Sequence, residues 1–177
     1  MNDTVPKLAA RRIGNAKLVG IAKGVGMIEP NMATLLAFFF TDAAISKDVL
    51  PTIFRPTIDK TFNCLSIDTD TSTSDSAVIL ANGLAGEVET QEFTYALQEI
   101  AHELVLAIAQ DGEGANKVIE VTLNLHILKS LSSKAFRKLI KMCLFHILRE
   151  RAIAPVGGSL LAPGNLDVKT MTTCKGG

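Results

Sequence analysis

Apolar and polar positions along the chain follow two different periods, and the periods separate strands from helices. Residues 17–25 alternate and include small apolar side chains before Gly24-Val25-Gly26, which predicts a strand ending in a glycine turn. Pro30-Asn31 breaks the chain again, and the all-apolar run 35–40 predicts a buried strand, since a short apolar run bounded by turn signals fits a strand better than a helix. Ser46 is a candidate N-cap for a helix toward Lys60, which Pro51 and Pro56 keep short or bent. Residues 66–76 are almost all Ser, Thr and Asp and feed the apolar stretch 77–81, a strand or a buried helix turn. From 91 to 110, Phe93, Ala96, Leu97, Ile100, Ala101, Leu104, Ala107 and Ile108 recur at spacings of three and four, an amphipathic helix stopped by Asp111-Gly112. Residues 117–125 alternate again and are rich in β-branched side chains, which predicts a further strand. The order strand, strand, helix, helix, strand implies a layered domain of α and β elements, without internal repeats.

Composition narrows the class. With 177 residues, 47% apolar and 20% charged, the chain has the make-up of one globular domain or of a domain with a tail, and wholesale disorder is excluded. The longest unbroken apolar runs are six residues, far short of the roughly 18 needed to cross a bilayer, so no membrane helix is expected. Met1-Asn2-Asp3-Thr4 has no basic region followed by an apolar stretch, so no secretory signal is read and the cytoplasm is the expected compartment. Cys64, Cys143 and Cys174 are odd in number and widely spaced, which argues against a disulfide framework and a CxxC-type zinc site.

The formal net charge of zero hides a division. Residues 1–121 hold nine Lys/Arg against sixteen Asp/Glu, a net −7, whereas residues 122–177 hold nine Lys/Arg against Glu150 and Asp167, a net +7. Such a split suggests either a nucleic-acid arm or two segments of different origin. A nucleic-acid arm would interleave its charges with aromatics or glycines. Here Lys134, Arg137, Lys138 and Lys141 stand beside Leu139, Ile140, Leu144 and Phe145, the pattern of an ordinary amphipathic helix with a solvated face.

Few positions suggest chemistry on composition alone. Thr34 follows a glycine-rich entry and the small Ala33, and opens the 35–40 strand. A threonine hydroxyl becomes a good nucleophile when the free α-amine of the same residue can take its proton, which here requires a cut between Ala33 and Thr34. By themselves Lys23 and Glu113 are a surface lysine and a turn carboxylate. Asp68, Asp70 and Asp75 invite a calcium reading but lack the glycine and terminal glutamate of an EF-hand loop. His102, His126 and His146 have no ligand spacing, so no metal site is expected. Gly24-Val25-Gly26 lacks the third glycine of a dinucleotide fingerprint and the Lys-Ser/Thr of a P-loop.

Several segments together nevertheless resemble one family. The stretch 20–36, reading GIAKGVGMIEPNMATLL, resembles the self-cleavage region of the bifunctional ornithine acetyltransferase / N-acetylglutamate synthase family of arginine biosynthesis. Residues 68–75 (DTDTSTSD) are similar to that family's Asp-Gly-Asp-Thr-Ser-Thr-Asn-Asp, and residues 111–117 (DGEGANK) to its Asp-Gly-Glu-Gly-Ala-Thr-Lys, with Thr69, Ser74 and Asn116 as mild departures. Asp3-Thr4-Val5-Pro6-Lys7 is similar to its Thr-Thr-Asp-Thr-x-Pro-Lys, so the resemblance covers about residues 3–121.

The resemblance implies a partial α/β layered sandwich: residues 1–33 would end the family's first (α) fragment, 34–121 would begin its second (β) fragment, and 122–177 would be a diverged or out-of-frame basic tail. It also implies that Thr34 attacks the Ala33 carbonyl, is freed as a new N-terminus, and then carries acetyl from N-acetylornithine to glutamate. Lys23 would hold a substrate carboxylate, Glu113 the substrate ammonium, and Thr4 would belong to the substrate-binding set. No metal or organic cofactor is implied, although acetyl-CoA serves some members as acetyl donor. The family assembles as a heterotetramer of two α and two β fragments. The expected family segments before Met1, with a Thr-Gly oxyanion pair, and after residue 121, with a Trp-Gly-Arg segment, are unmatched, and activity is expected to be impaired. Two other classes stay open: a catalytically inactive remnant, and a nucleic-acid or partner-binding module using the basic tail.

Overall fold

A computed structural model describes residues 3–26, 28, 35–67, 75–112, 117–123 and 168–174, with backbone alone at Ser66, Lys117, 119–123 and 168–174. The chain divides into two compact units, Met1–Glu120 with Thr170–Gly177, and Val121–Lys169. In the second unit only residues 121–123 and 168–169 are described, as strand ends. The amphipathic helix expected around residues 134–148 lies outside the described residues.

The first unit runs β1 (Lys7–Ile13), β2 (Ala16–Lys23), β3 (Leu36–Ala44), α1 (Leu50–Lys60), a 3-10 turn (Phe62–Cys64), β4 (Leu65–Ser66), β5 (Ser76–Glu87) and α2 (Thr90–Gln110), followed by β6 (Lys117–Leu123) and β7 (Val168–Cys174), whose ends reach the second unit. The main sheet has the order β1-β2-β3-β5. Its first two pairings are antiparallel and β3–β5 is parallel, so the expected mixture of strands and helices is a mixed sheet with helices on one face. A second sheet has the order β4-β7-β6.

Each element has a local cause. β1 and β2 are joined by the two-residue loop Gly14-Asn15, with Gly14 at φ +56°, the positive value that tight hairpin turns demand. β1 itself went unread in the sequence, because its inward positions are Lys7, Ala9, Arg11 and Ile13 and give almost no apolar alternation. The alternative left open for residues 77–81 resolves as β5, which extends through a register shift opposite Thr41–Ala43. α2 starts where the Glu89 carboxylate accepts the Glu92 N–H at 2.6 Å, one residue before the expected start.

Two expectations need correction. Ser46 does not cap α1: the N-cap is Val49, without a side-chain bond, and Ser46 closes the preceding turn, its carbonyl accepting the Val49 and Leu50 N–H groups at 3.1 and 2.9 Å. Pro51 in the first turn has no N–H of its own, which removes one of the donors a cap would satisfy. The helix also continues through Pro56, which lies on its exposed side. The run 35–40 is likewise not buried on both faces. Ala37 and Phe39 face the helices, while Phe38 and Phe40 are exposed, because both helices cover the same face.

The core lies between that face and the helices. Phe39 is its hub, meeting Phe54 of α1 edge-on at 5.6 Å and Phe62 at 6.2 Å between ring centroids. α2 lays Phe93, Leu97, Ile100, Leu104 and Ile108 across β1 and β2. Gly20, in mid-β2, makes this approach possible: a Cβ there would stand 2.5 Å from Ile100 Cγ2, 2.9 Å from Leu104 Cδ1 and 3.1 Å from Phe39 Cε1. On the opposite face Leu8, Ile21, Phe38 and Val78 pair strand to strand in one row across the sheet.

The close approach at Gly20 yields a test. Because the Ile100 methyl sits on a stiff β-branch, Gly20→Ala is expected to lower stability by about 1–3 kcal/mol through overpacking. A urea midpoint unchanged from the parent would show that α2 can move away at little cost.

Candidate functional site at the motif-bearing end of the sheet

The segments singled out in the sequence come together at one end of the main sheet. Lys23 closes β2 and pairs with Leu36 at the start of β3, and Leu36 pairs with Ser76 at the start of β5. This register sets the glycine-rich segment, the strand after Thr34 and the end of the Asp/Thr/Ser run side by side. At the same end of β1, Lys7 pairs with Ala22.

Lys7 is the least expected member of this group. Strand alternation turns it to the helix side, where its side chain is 0% exposed. Its ammonium donates to Asp3 Oδ1 at 2.5 Å and to Asp111 Oδ2 at 2.6 Å. Asp3 Oδ1 also accepts the Gly24 N–H at 3.1 Å. Gly24 has φ +152°, a conformation that side chains disfavour, so glycine at this position lets the chain turn out of β2 with its N–H on Asp3. Asp111, directly after α2, accepts the Thr4 N–H at 3.0 Å and the Thr4 hydroxyl as well. One buried cation thus ties together the chain segment before β1, the end of β2 and the end of α2.

The electrostatics follow from these bonds. Burial pushes the Asp111 carboxyl up, but the hydrogen bonds from Lys7 and Thr4 and the lysine charge outweigh it and hold the group below its ordinary value. Asp3 behaves alike: burial raises it, and the bonds from Lys7 and Gly24 with the lysine charge bring it below the ordinary value. Asp75 moves the other way. Burial lifts its carboxyl above the usual range, against the Leu35 N–H bond and the charge of Lys23, which pull it down. Its Oδ1 accepts the Leu35 N–H at 2.5 Å, and its Oδ2 is buried without a partner among the described residues.

The expected site residues divide accordingly. Lys23 is exposed at the strand end, and Thr4 is exposed but spends both its N–H and its hydroxyl proton on Asp111. Ala33, Thr34 and Glu113 lie outside the described residues, as do Asp68 and Asp70. His102 is exposed on α2. Among the described residues no group of three His, Cys, Asp or Glu side chains could hold a metal, and no helix is long and apolar enough to cross a membrane. The sequence reading missed the roles of Lys7, Asp3, Asp111 and Asp75. For the first the sequence held no usable signal, because the inward parity of Lys7 shows only once β1 is known.

The ArgJ family model matches residues 1–145. Among curated relatives, "Arginine biosynthesis bifunctional protein ArgJ 2" of Nostoc sp. is 82% identical over 122 residues, covering 69% of this chain and 32% of that protein. "Glutamate N-acetyltransferase Oat2" of Streptomyces clavuligerus is 60% identical over 119 residues, covering 67% and 30%. This chain therefore spans about a third of the length of these relatives. A crystal structure of the arginine biosynthesis bifunctional protein ArgJ from Bacillus halodurans covers 50% of this chain and 44% of that one at 35% identity, with a TM-score of 0.45.

The lysine clamp predicts an acid-sensitive penalty. Lys7→Met strands the buried Asp111 carboxylate and takes the cation from Asp3, a third exposed, and is expected to cost about 3–5 kcal/mol at neutral pH, most of it at Asp111. In the parent, folded-state values lowered at Asp3 and Asp111 give stability that is present above the ordinary aspartate value near 4 and lost as pH falls through the lower folded values. The penalty of Lys7→Met should therefore shrink as pH falls below about 4, where the paired carboxylates of the parent begin to take up protons. Urea titrations of both proteins across that range check this, and a small, pH-independent penalty would contradict it.

Proposed function

The chain belongs to the ArgJ family, and on that footing we propose that it carries the nucleophile segment of an acetyltransferase acting between N-acetylornithine and glutamate, with Thr34 as cleavage point and nucleophile. The observation that supports this most is the register Lys23–Leu36–Ser76, which sets the family-like segment 20–36 beside the end of the segment 68–75 at one sheet end, with the other two, at Asp3 and Asp111, tied to them through Lys7 and Gly24.

In this reading the Thr34 oxygen forms a bond to the Ala33 carbonyl carbon, the Ala33–Thr34 C–N bond breaks, and the hydroxyl proton ends on the released amine. Water then cleaves the ester and leaves Thr34 as a new N-terminus. Its hydroxyl takes acetyl from N-acetylornithine, whose amine leaves as ornithine, and the acetyl ester is passed to the amine of glutamate, in two half-reactions. The free α-amine of Thr34 is the proton acceptor and donor in both. Lys23, exposed and close to Asp75 in charge, would hold a substrate carboxylate, Glu113 the substrate ammonium, and Thr4 would border the same end. None of these steps calls for a metal or organic cofactor; acetyl-CoA would enter as an alternative acetyl donor. The α and β pieces would assemble in pairs as a heterotetramer.

Two measurements test the reading. Intact mass of the purified chain should show two pieces divided between Ala33 and Thr34, and a single uncut chain for Thr34→Ala; an uncut parent would overturn the assignment for this chain. In the cleaved protein, Lys23→Met should raise KM for N-acetylornithine roughly 10–100-fold, the loss of one charged hydrogen bond, with a much smaller change in kcat. An unchanged KM would remove Lys23 from the site.

A further inference from the structure

We propose that Asp75 is a positioning residue for Thr34, its carboxylate holding the N–H of the peptide bond that joins residue 34 to Leu35. The inference rests on the reading of Thr34 as cleavage point and nucleophile. Asp75 closes the Asp/Thr/Ser run, a segment to which neither the sequence reading nor the reaction above gives a role.

Three observations support it. First, both backbone polar groups of Leu35 are taken by consecutive residues of one segment: its N–H by Asp75 Oδ1 at 2.5 Å, its carbonyl by the Ser76 N–H at 2.9 Å. The first group is held by a side chain where β5 has not yet begun, so the sheet ladder alone does not fix this amide. Second, the Leu35 side chain is buried, which anchors the residue following the nucleophile on its other side as well. Third, Asp75 Oδ2 is buried without a partner among the described residues, although a carboxylate oxygen left bare in the interior is costly. Burial also raises the affinity of this carboxyl for a proton, and Lys23 on the neighbouring strand end moderates it. Nucleophilic attack requires near-ångström placement, and a displacement of about 1 Å commonly costs 10²-fold in rate.

The experiment follows cleavage at Ala33–Thr34 by intact mass in the full chain, in Asp75→Ala, in Asp75→Asn and in Thr34→Ala, with amide hydrogen exchange on the uncut Thr34→Ala background. Asp75→Ala should slow cleavage about 100-fold and speed exchange at Leu35, while the amides of Phe39 and Thr41 stay protected. Asp75→Asn keeps an oxygen acceptor for the Leu35 N–H and should recover at least tenfold of the lost rate. A merely structural role would instead strip protection along β3 and leave both variants equally slow, which overturns the proposal. So does cleavage of Asp75→Ala at the parent rate, or a folded Asp75→Asn as slow as Asp75→Ala. An uncut parent overturns the reading of Thr34 itself and this inference with it, a result distinct from a parent that cuts and an Asp75→Ala that cuts as fast.

Discussion

A lysine whose side chain has no exposed surface must be neutralised where it sits, and the arrangement of the sheet end follows from how Lys7 meets that constraint. Its two carboxylate partners come from distant parts of the chain, Asp3 just before β1 and Asp111 just after α2. Once both are engaged, the end of α2 is tied to the start of β1, and Asp3 in turn takes the Gly24 N–H at the exit of β2. Both pairs are short, and the one with Asp111 is shielded and reinforced by Thr4. In those circumstances removing one partner is far more disruptive than the pair's net worth would suggest. The more exposed pairs of Arg11 with Glu99 and Glu103 of α2 lie further along β1 and contribute much less.

The second constraint is packing. α2 approaches β2 closely because Gly20 offers no Cβ, and the apolar stripe of the helix then fills the space up to Phe39. Since both helices lie on that side, the sheet is asymmetric: its other face carries the row Leu8, Ile21, Phe38 and Val78. Single exposed apolar side chains are ordinary on protein surfaces, but a row spanning four strands is not.

Charge and packing meet at the candidate site. β3 is held at its start by Lys23 on one side and by Asp75 and Ser76 on the other, so Leu35 and Leu36 are fixed from both neighbouring strands. A parallel β3–β5 pairing is what makes this possible, because both strands then begin at the same end of the sheet. The helix α1, the 3-10 turn and β4 are the connection that brings the chain back to that end, as parallel pairing requires.

The sequence by itself determined the elements whose period is strong: α2 with its apolar stripe, β2 with its glycine exit, β3 and β6. It also determined which segments were family-like, and so where Lys23, Thr34 and Glu113 should be sought. It could not reveal β1, because Lys7 and Arg11 occupy inward positions where an apolar residue would have marked a strand. Nor could it show that 35–40 has one open face, since an apolar run reads the same whether one or both sides are covered. The partnership of Asp3, Lys7 and Asp111 and the hold of Asp75 on Leu35 were decided only by tertiary structure. Lys7 and Asp111 stand 104 residues apart in the chain and Leu35 and Asp75 stand 40 apart, and such pairs acquire meaning only when strand register and helix docking bring them within hydrogen-bond distance.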